Sequence, residues 1–294
     1  MIDTHVHHWA LSSFRYPWLE DRAFDDLRYD YLPADYRADT ADTPVEGWVH
    51  IQAEVEHQLD PVKETAWIAG LAEETSASGM AGPLACAVYA DLRAPNVRDV
   101  LSRHCSFRLT RGVRQEAWFD PASSRADIPR EDLLSDPAWQ EGYRSLAEFG
   151  LSFDLLVWPH QLQQAAAFVA EVPAVPVVLD HLGLPDTSSD PGLRTWRDGV
   201  AAMAQVPHAC IKLSAFSLLG NPRDEAAVRG VVAELLDLFS PQRCMVGSNF
   251  PVDRLAGDFG SLYELILASL KDLSDEQRAD VLAGTARRFY RIER

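Results

Sequence analysis

Cysteine is scarce in this sequence, and so are positive charge and long apolar runs. The four cysteines in 294 residues, Cys86, Cys105, Cys210 and Cys244, are widely spaced. None forms a CxxC pair, so neither a zinc ribbon nor a thioredoxin-like motif is present. Three lie in or beside apolar runs, the usual setting of buried free thiols in a reducing compartment. The 27 Lys and Arg face 44 Asp and Glu, for a net charge of −17. A polyanion would meet repulsion, so nucleic acid and anionic membrane surfaces are discounted as partners, although one Arg in a pocket can still hold a small anion. No apolar run is long enough to span a bilayer, and the opening MIDTHVHHW lacks a basic stretch followed by an apolar one. The expectation is a soluble, cytoplasmic protein. No GxGxxG follows the first strand pattern, which argues against a dinucleotide-binding sheet. With no linker, low-complexity stretch or internal repeat, residues 1–294 read as one domain.

What is present is alternation. Eight β-rich runs, at residues 1–5, 47–54, 84–92, 108–115, 151–157, 175–181, 209–214 and 243–249, are separated mostly by helical patterns. VPVVLD and ACIKLS are nearly continuous apolar runs, as parallel strands covered by helices require. Asp60-Pro61 and Asp136-Pro137 read as helix starts, with an acidic N-cap and proline in the first turn. Helical patterns follow at 161–172, 192–206, 224–239 and 259–270, and a final helix starts with a Ser274/Gln277 capping box. Strand and helix in strict alternation imply an α/β protein with a parallel sheet, and eight units in this length imply a (β/α)8 TIM barrel with an extra C-terminal helix. Residues 8–44, rich in Trp, Tyr and Phe, read as a long irregular lid over the barrel mouth, and 118–129 as a second.

Reacting groups in such a barrel project from the C-terminal ends of the strands. Strand one delivers His5 and His7, an i, i+2 pair able to share one ion or one substrate. Strand two delivers Gln52 and Glu54, and strand four Arg114 and Gln115. Strand five carries Asp154, with His160 beyond its end. Strand six ends in Asp180-His181, strand seven carries Lys212 and Ser214, and strand eight ends Gly247-Ser248-Asn249-Phe250-Pro251. His50, His57, His104 and His208 read as core histidines, His160 equally as a helix cap, and Lys212 as outward-pointing and paired with a helix carboxylate. Trp9 and its aromatic neighbours read as pocket wall.

The opening DTHVHHW, the strand-six DHLG, the strand-eight GSNFP and the closing GTARRFYRI together resemble the amidohydrolase superfamily. More narrowly they resemble its amidohydrolase-2 branch of lactonases acting on sugar-acid lactones and 2-pyrone-4,6-dicarboxylate. The likeness covers essentially the whole chain. It implies that His5, His7 and His181 bind a divalent metal, or bind substrate in a metal-free site. It further implies that His181 lies near the scissile carbonyl and that Arg114 holds a carboxylate or polarises a carbonyl. The sequence departs from the family at strand eight, where Asn249 replaces the usual aspartate that serves as base and ligand. A neutral amide cannot take a proton near pH 7, and its oxygen is a poor partner for a dication. One divalent metal at weak or partial occupancy, zinc first, is therefore expected, with a metal-free site kept open. The base falls to Asp253, Glu54, His181 or Asp154, with a turn cap as the alternative for Asp253. Substrate contacts fall to Arg114, Gln52, Trp9, His160 and Asp154. The expected reaction is hydrolysis of a small cyclic ester; a metal-dependent decarboxylase and a silent binding barrel are the alternatives. The only partner implied is a small-molecule substrate, and oligomeric state is not written in the sequence.

Overall fold

A computed structural model describes residues 1–120, 131–219 and 225–293. The second expected lid falls largely outside them. Eight strands, β1 Ile2–Val6, β2 Gly47–Ile51, β3 Pro83–Val88, β4 Thr110–Arg114, β5 Ser152–Leu155, β6 Val177–Leu179, β7 Ala209–Leu213 and β8 Cys244–Val246, pair in parallel in the order of the chain. The ring closes between β8 and β1 through the turn just past β8. Asn249 N–H donates to the His5 carbonyl at 2.8 Å and His7 N–H to the Phe250 carbonyl at 2.9 Å. This is a (β/α)8 barrel.

The connecting helices are α1 Pro33–Asp39, α2 Val62–Ala77, α3 Val97–His104, α4 Pro137–Ser145, α5 Leu162–Ala170, α6 Asp190–Ala204, α7 Glu225–Phe239 and α8 Phe259–Ser269. Asp136 caps α4 by accepting from Ala138 N–H at 2.8 Å, with Pro137 in the first turn. At α2 the N-cap position falls on Pro61 rather than the expected Asp60, which still accepts from Val62 N–H at 3.2 Å. Two helices were not expected. Helix α3 is only eight residues long, too short for its buried stripe of Val97, Val100 and Leu101 to stand out. Residues 8–44, expected to be irregular, contain 3-10 turns at Pro17–Glu20 and Arg22–Leu27 as well as α1. Reciprocal backbone bonds between Trp9 and Tyr31 tie that segment to itself.

The inside and outside of the barrel follow from strand parity. On β5, β6 and β7 the apolar Phe153, Leu155, Val177, Leu179, Ile211 and Leu213 join the outer core under the helices. The intervening positions therefore face the axis. The lower interior is apolar, with Ile2, Val49, Ala85, Val178 and Met245 packed together. The C-terminal segment, α9 Asp275–Ala279 running through a π-helical turn into α10 Thr285–Phe289, closes that end with Ala286, Phe289 and Tyr290. The upper interior is polar and belongs to the site.

The seam leaves no room at Gly247, where an added Cβ would lie 2.8 Å from the His5 Cβ and 3.1 Å from its backbone nitrogen. Gly247→Ala should push β1 off β8 and cost about 1–3 kcal/mol by overpacking. A drop of several degrees in Tm is expected, and an unchanged Tm would show that the seam yields.

Candidate active site

At the C-terminal mouth lies a cavity of about 260 Å³. Its polar lining comes from His7, Gln52, Glu54, Arg114, Glu116, His181 and Asn249, all at strand ends or in the residues just after them. Its walls are aromatic: Trp18 with Phe24, and Trp118 with Trp158, whose rings stack 5.2 Å apart. Strain gathers around this rim. Glu54, His181, Ala215 and Asn249, just past β2, β6, β7 and β8, all have φ between 55° and 59°. Non-glycine residues rarely adopt that conformation, although asparagine tolerates it best.

His7 Nδ1 lies 2.9 Å from the Ile51 carbonyl oxygen. A carbonyl only accepts, so Nδ1 carries the proton and Nε2 keeps its lone pair. His181 Nδ1 pairs with Ser214 Oγ at 3.0 Å. Burial holds the imidazoles of His5 and His7 well below the usual range, aided by Lys212 beside His5 and Arg114 beside His7. Burial likewise brings His181 down to about 3, against the pull of Asp180. All three rings are neutral near pH 7.

Beneath the cavity sits a buried charge network that sequence reasoning missed. Lys212, expected to point outward, faces the axis with no exposure, because Ile211 and Leu213 take the helix side. Its Nζ is 2.5 Å from Asp154 Oδ2 and 3.1 Å from Asp180 Oδ1. Asp180 also accepts from Arg114 Nε at 3.1 Å, while Arg114 Nη2 donates to Glu116 at 3.0 Å. Burial opposes ionisation of Asp180, yet Lys212 and His5 hold it well below the usual carboxylate range. The apolar parity of VPVVLD and ACIKLS was the available signal: if Leu179 and Ile211 face out, Asp180 and Lys212 must face in.

The structure separates several residues that the sequence placed together. Asp154, expected at the substrate, lies below the cavity between Lys212 and the Tyr290 hydroxyl, which donates at 2.7 Å. His160 is exposed in a 3-10 turn and does not line the cavity. Trp9 is buried behind Trp18, its indole N–H donating to the Tyr29 carbonyl. Asp253 stands behind Asn249 and faces a neighbouring cavity. There it accepts from Asn249 Nδ2 at 2.9 Å and from Ser217 Oγ at 2.8 Å. A carboxylate only accepts, so Asn249 turns its NH2 to Asp253 and is left with its carbonyl oxygen for the cavity. His57 is no core histidine: half exposed, it pairs with Glu54 at 2.9 Å. Glu54 is further held by the Gln52 amide, and despite burial its carboxyl is lowered by His57 and Arg114.

His5, Asp180 and His181 bring ligand atoms within 4.8 Å of one another, close enough to converge on one ion, and His7 is outside that group. The buried His5 Nε2 has no partner among the described residues. The donor set nevertheless does not suit a dication as it stands. Asp180 is committed to Lys212 and Arg114, Lys212 places an ammonium against His5 at 3.2 Å, and strand eight offers a neutral amide.

With this geometry in view, comparison with known proteins is direct. The amidohydrolase family profile matches residues 2–292, and the chain belongs to that family of enzymes. It is 29% identical over 303 residues to an L-fucono-1,5-lactonase of Burkholderia ambifaria, covering 100% of this chain and 96% of the other. An amidohydrolase of Burkholderia multivorans, with crystal structures holding HEPES in one case and zinc in another, superposes with a TM-score of 0.83 at 28% identity over 99% of both chains. A putative 2-pyrone-4,6-dicarboxylic acid hydrolase of Pseudomonas putida, 19% identical over 100% of this chain and 98% of the other, shares the fold at a TM-score of 0.75. Among the described residues no helix is long and apolar enough to cross a membrane.

Burial pushes the Asp253 carboxyl up to about 6 from 3.8, with Asn249 and Ser217 opposing. Because the folded value lies above the unfolded one, ionising this group weighs against the fold, and the stability it contributes is lost as pH rises through about 6. Asp253→Asn should therefore gain about 1 kcal/mol relative to the parent between pH 5 and 7.5. Melting curves at the two pH values test this. An identical difference at both would mean that Asp253 does not titrate in the folded protein.

Proposed function

We propose that the protein hydrolyses the lactone of a neutral sugar acid. The observation that carries this reading is the pairing of a stacked Trp118/Trp158 wall with an Arg114 whose charge is already matched by Asp180 and Glu116. A sugar ring has an apolar face that suits an aromatic wall and hydroxyls that suit Gln52, Glu54 and Asn249. A dicarboxylate would find two carboxylates, Glu54 and Glu116, in the cavity lining and no uncompensated cation among its described residues. The lactonase relative, 29% identical over 96% of its own length, supports the same class. The metal-dependent decarboxylase alternative is disfavoured because Asp180 is already committed to Lys212 and Arg114 and strand eight offers only the neutral Asn249 amide, a donor set that does not suit a dication.

In this reading His7 is the base. Water adds through its oxygen to the lactone carbonyl carbon while His7 Nε2, the lone-pair nitrogen, accepts its proton. Arg114 has five N–H groups, of which Asp180 and Glu116 take two, so the remainder can donate to the oxyanion. Asn249, its amide turned by Asp253, offers a carbonyl oxygen to orient the water or a substrate hydroxyl. Collapse of the tetrahedral intermediate breaks the ring C–O bond, and the proton on His7 passes to the released alkoxide, giving the open hydroxy acid. A neutral imidazole of lowered basicity suffices because a strained cyclic ester needs only modest activation of water. His181 stands at the same cavity, and Ser214 fixes its ring.

The test is acid release from a panel of neutral aldono-1,5-lactones beside 2-pyrone-4,6-dicarboxylate. Release from one or more of the neutral lactones and none from the dicarboxylate is expected, and no release from any lactone overturns the reading. With the best substrate, His7→Gln should lower kcat by roughly 100-fold or more. Arg114→Lys should cost on the order of 100-fold in kcat/KM, since lysine cannot serve Asp180, Glu116 and an oxyanion together. Unchanged kinetics in either variant would return that residue to a structural role.

A further inference from the structure

Three lysines occur in the chain, Lys63, Lys212 and Lys271, against many more arginines. Lys212 is the one that is wholly buried, and it lies on the barrel axis. An ammonium has three N–H donors and no acceptor. Lys212 Nζ donates to Asp154 Oδ2 at 2.5 Å, stands in ion-pair contact with Asp180 Oδ1 at 3.1 Å without hydrogen-bond geometry, and meets His5 Nδ1 at 3.2 Å. The third contact bears on the protonation of His5. A nitrogen facing an ammonium at that distance must present its lone pair, so the single proton of the neutral ring resides on Nε2. The competing Nδ1–H···Asp180 contact is longer, at 3.5 Å, and would set two protons against each other at Lys212.

We propose that Lys212 is a positioning residue that holds His5 as an Nε2–H donor and takes the electrostatic place of a metal ion at this site. His5 Nε2 is buried, without a partner among the described residues, and its ring lies 4.4 Å from that of His181 and 5.0 Å from that of His7. A metal requires the lone pair on that nitrogen, whereas Lys212 makes it a donor. The same ammonium neutralises Asp154 and shares Asp180 with Arg114, which removes the negative charge that would draw a dication in. Lys212 and a divalent ion are thus alternatives. The inference concerns protonation and charge alone and holds whatever the substrate is.

The experiment uses the full-length protein with 15N-labelled histidine. Long-range 1H–15N correlation spectra, with the His5 signal assigned by its loss in His5→Gln, should show the Nε2–H tautomer in the unaltered protein. The Nδ1–H tautomer would overturn the proposal. Lys212→Met keeps the length of the stem and removes the charge. In that variant His5 should shift to Nδ1–H, directed at Asp180, and zinc, followed by competition with a chelating dye, should bind at least tenfold tighter than to the parent. Equal zinc affinity in the two would also overturn it. Should Lys212→Met fail to fold, the spectrum of the unaltered protein decides alone.

Discussion

The barrel is joined where β8 meets β1, and the join is made by turn backbone rather than by a strand ladder. Asp3 accepts from Ser248 N–H at 2.8 Å and from His5 N–H at 3.2 Å, while Thr4 Oγ1 donates to the Val246 carbonyl at 2.6 Å. Tyr36 from α1 donates to the other Asp3 oxygen at 2.7 Å, so the segment above the barrel is tied to the same carboxylate. Burial raises the Asp3 carboxyl, and the donors from Ser248 and Tyr36 work against that rise. One buried side chain thus holds both sides of the seam. Because His5, His7 and Asn249 are the residues on either side of it, the closure of the barrel and the assembly of the cavity are one event.

Within that frame the polar groups are ordered by what their partners can and cannot do. Carbonyls and carboxylates only accept, and ammonium and guanidinium groups only donate. The Ile51 carbonyl leaves His7 a lone pair, Lys212 leaves His5 a proton, and Asp253 leaves Asn249 a carbonyl oxygen. Each assignment follows from a partner that has no second role available. Burial keeps the imidazoles neutral, and Lys212 and His5 keep Asp180 charged against the same burial. Breaking such a buried pair by removing one partner typically costs about 3–5 kcal/mol, so the network under the cavity is rigid as well as charged. A rigid floor beneath a strained rim is what positions donors for a developing oxyanion without reorganisation.

Much of this was legible in the chain. Alternation of period-two and period-3.6 patterns gave the eight units and their order, because a strand buried on both faces and an amphipathic helix leave different apolar rhythms. HxH after the first run, Asp-His after the sixth and GSNFP after the eighth marked the rim, because a barrel delivers its chemistry at strand ends. The short α3 and the helical content of residues 8–44 did not show, since their apolar stripes are brief and interrupted by charge. Lys212 did not show for a different reason: a lysine in a strand is ordinarily exposed, and only the outward-facing Ile211 and Leu213 on either side turn this one to the axis.

Composition, order of elements and the residues at each strand end are local properties, so the sequence by itself determined the barrel, the family and the set of side chains available at its mouth. Which of them face the cavity, which stand behind it and which nitrogen of each imidazole holds the proton are pairwise properties of residues as far apart as Lys212 and His5 or Asn249 and Asp253. They depend on angles and separations of about an ångström between elements, and on burial that makes each unmatched donor or acceptor costly. Only the closed barrel sets those, so only the tertiary structure decided that Asp154 would pair with Lys212, that Asp253 would turn Asn249, and that His7 would keep its lone pair.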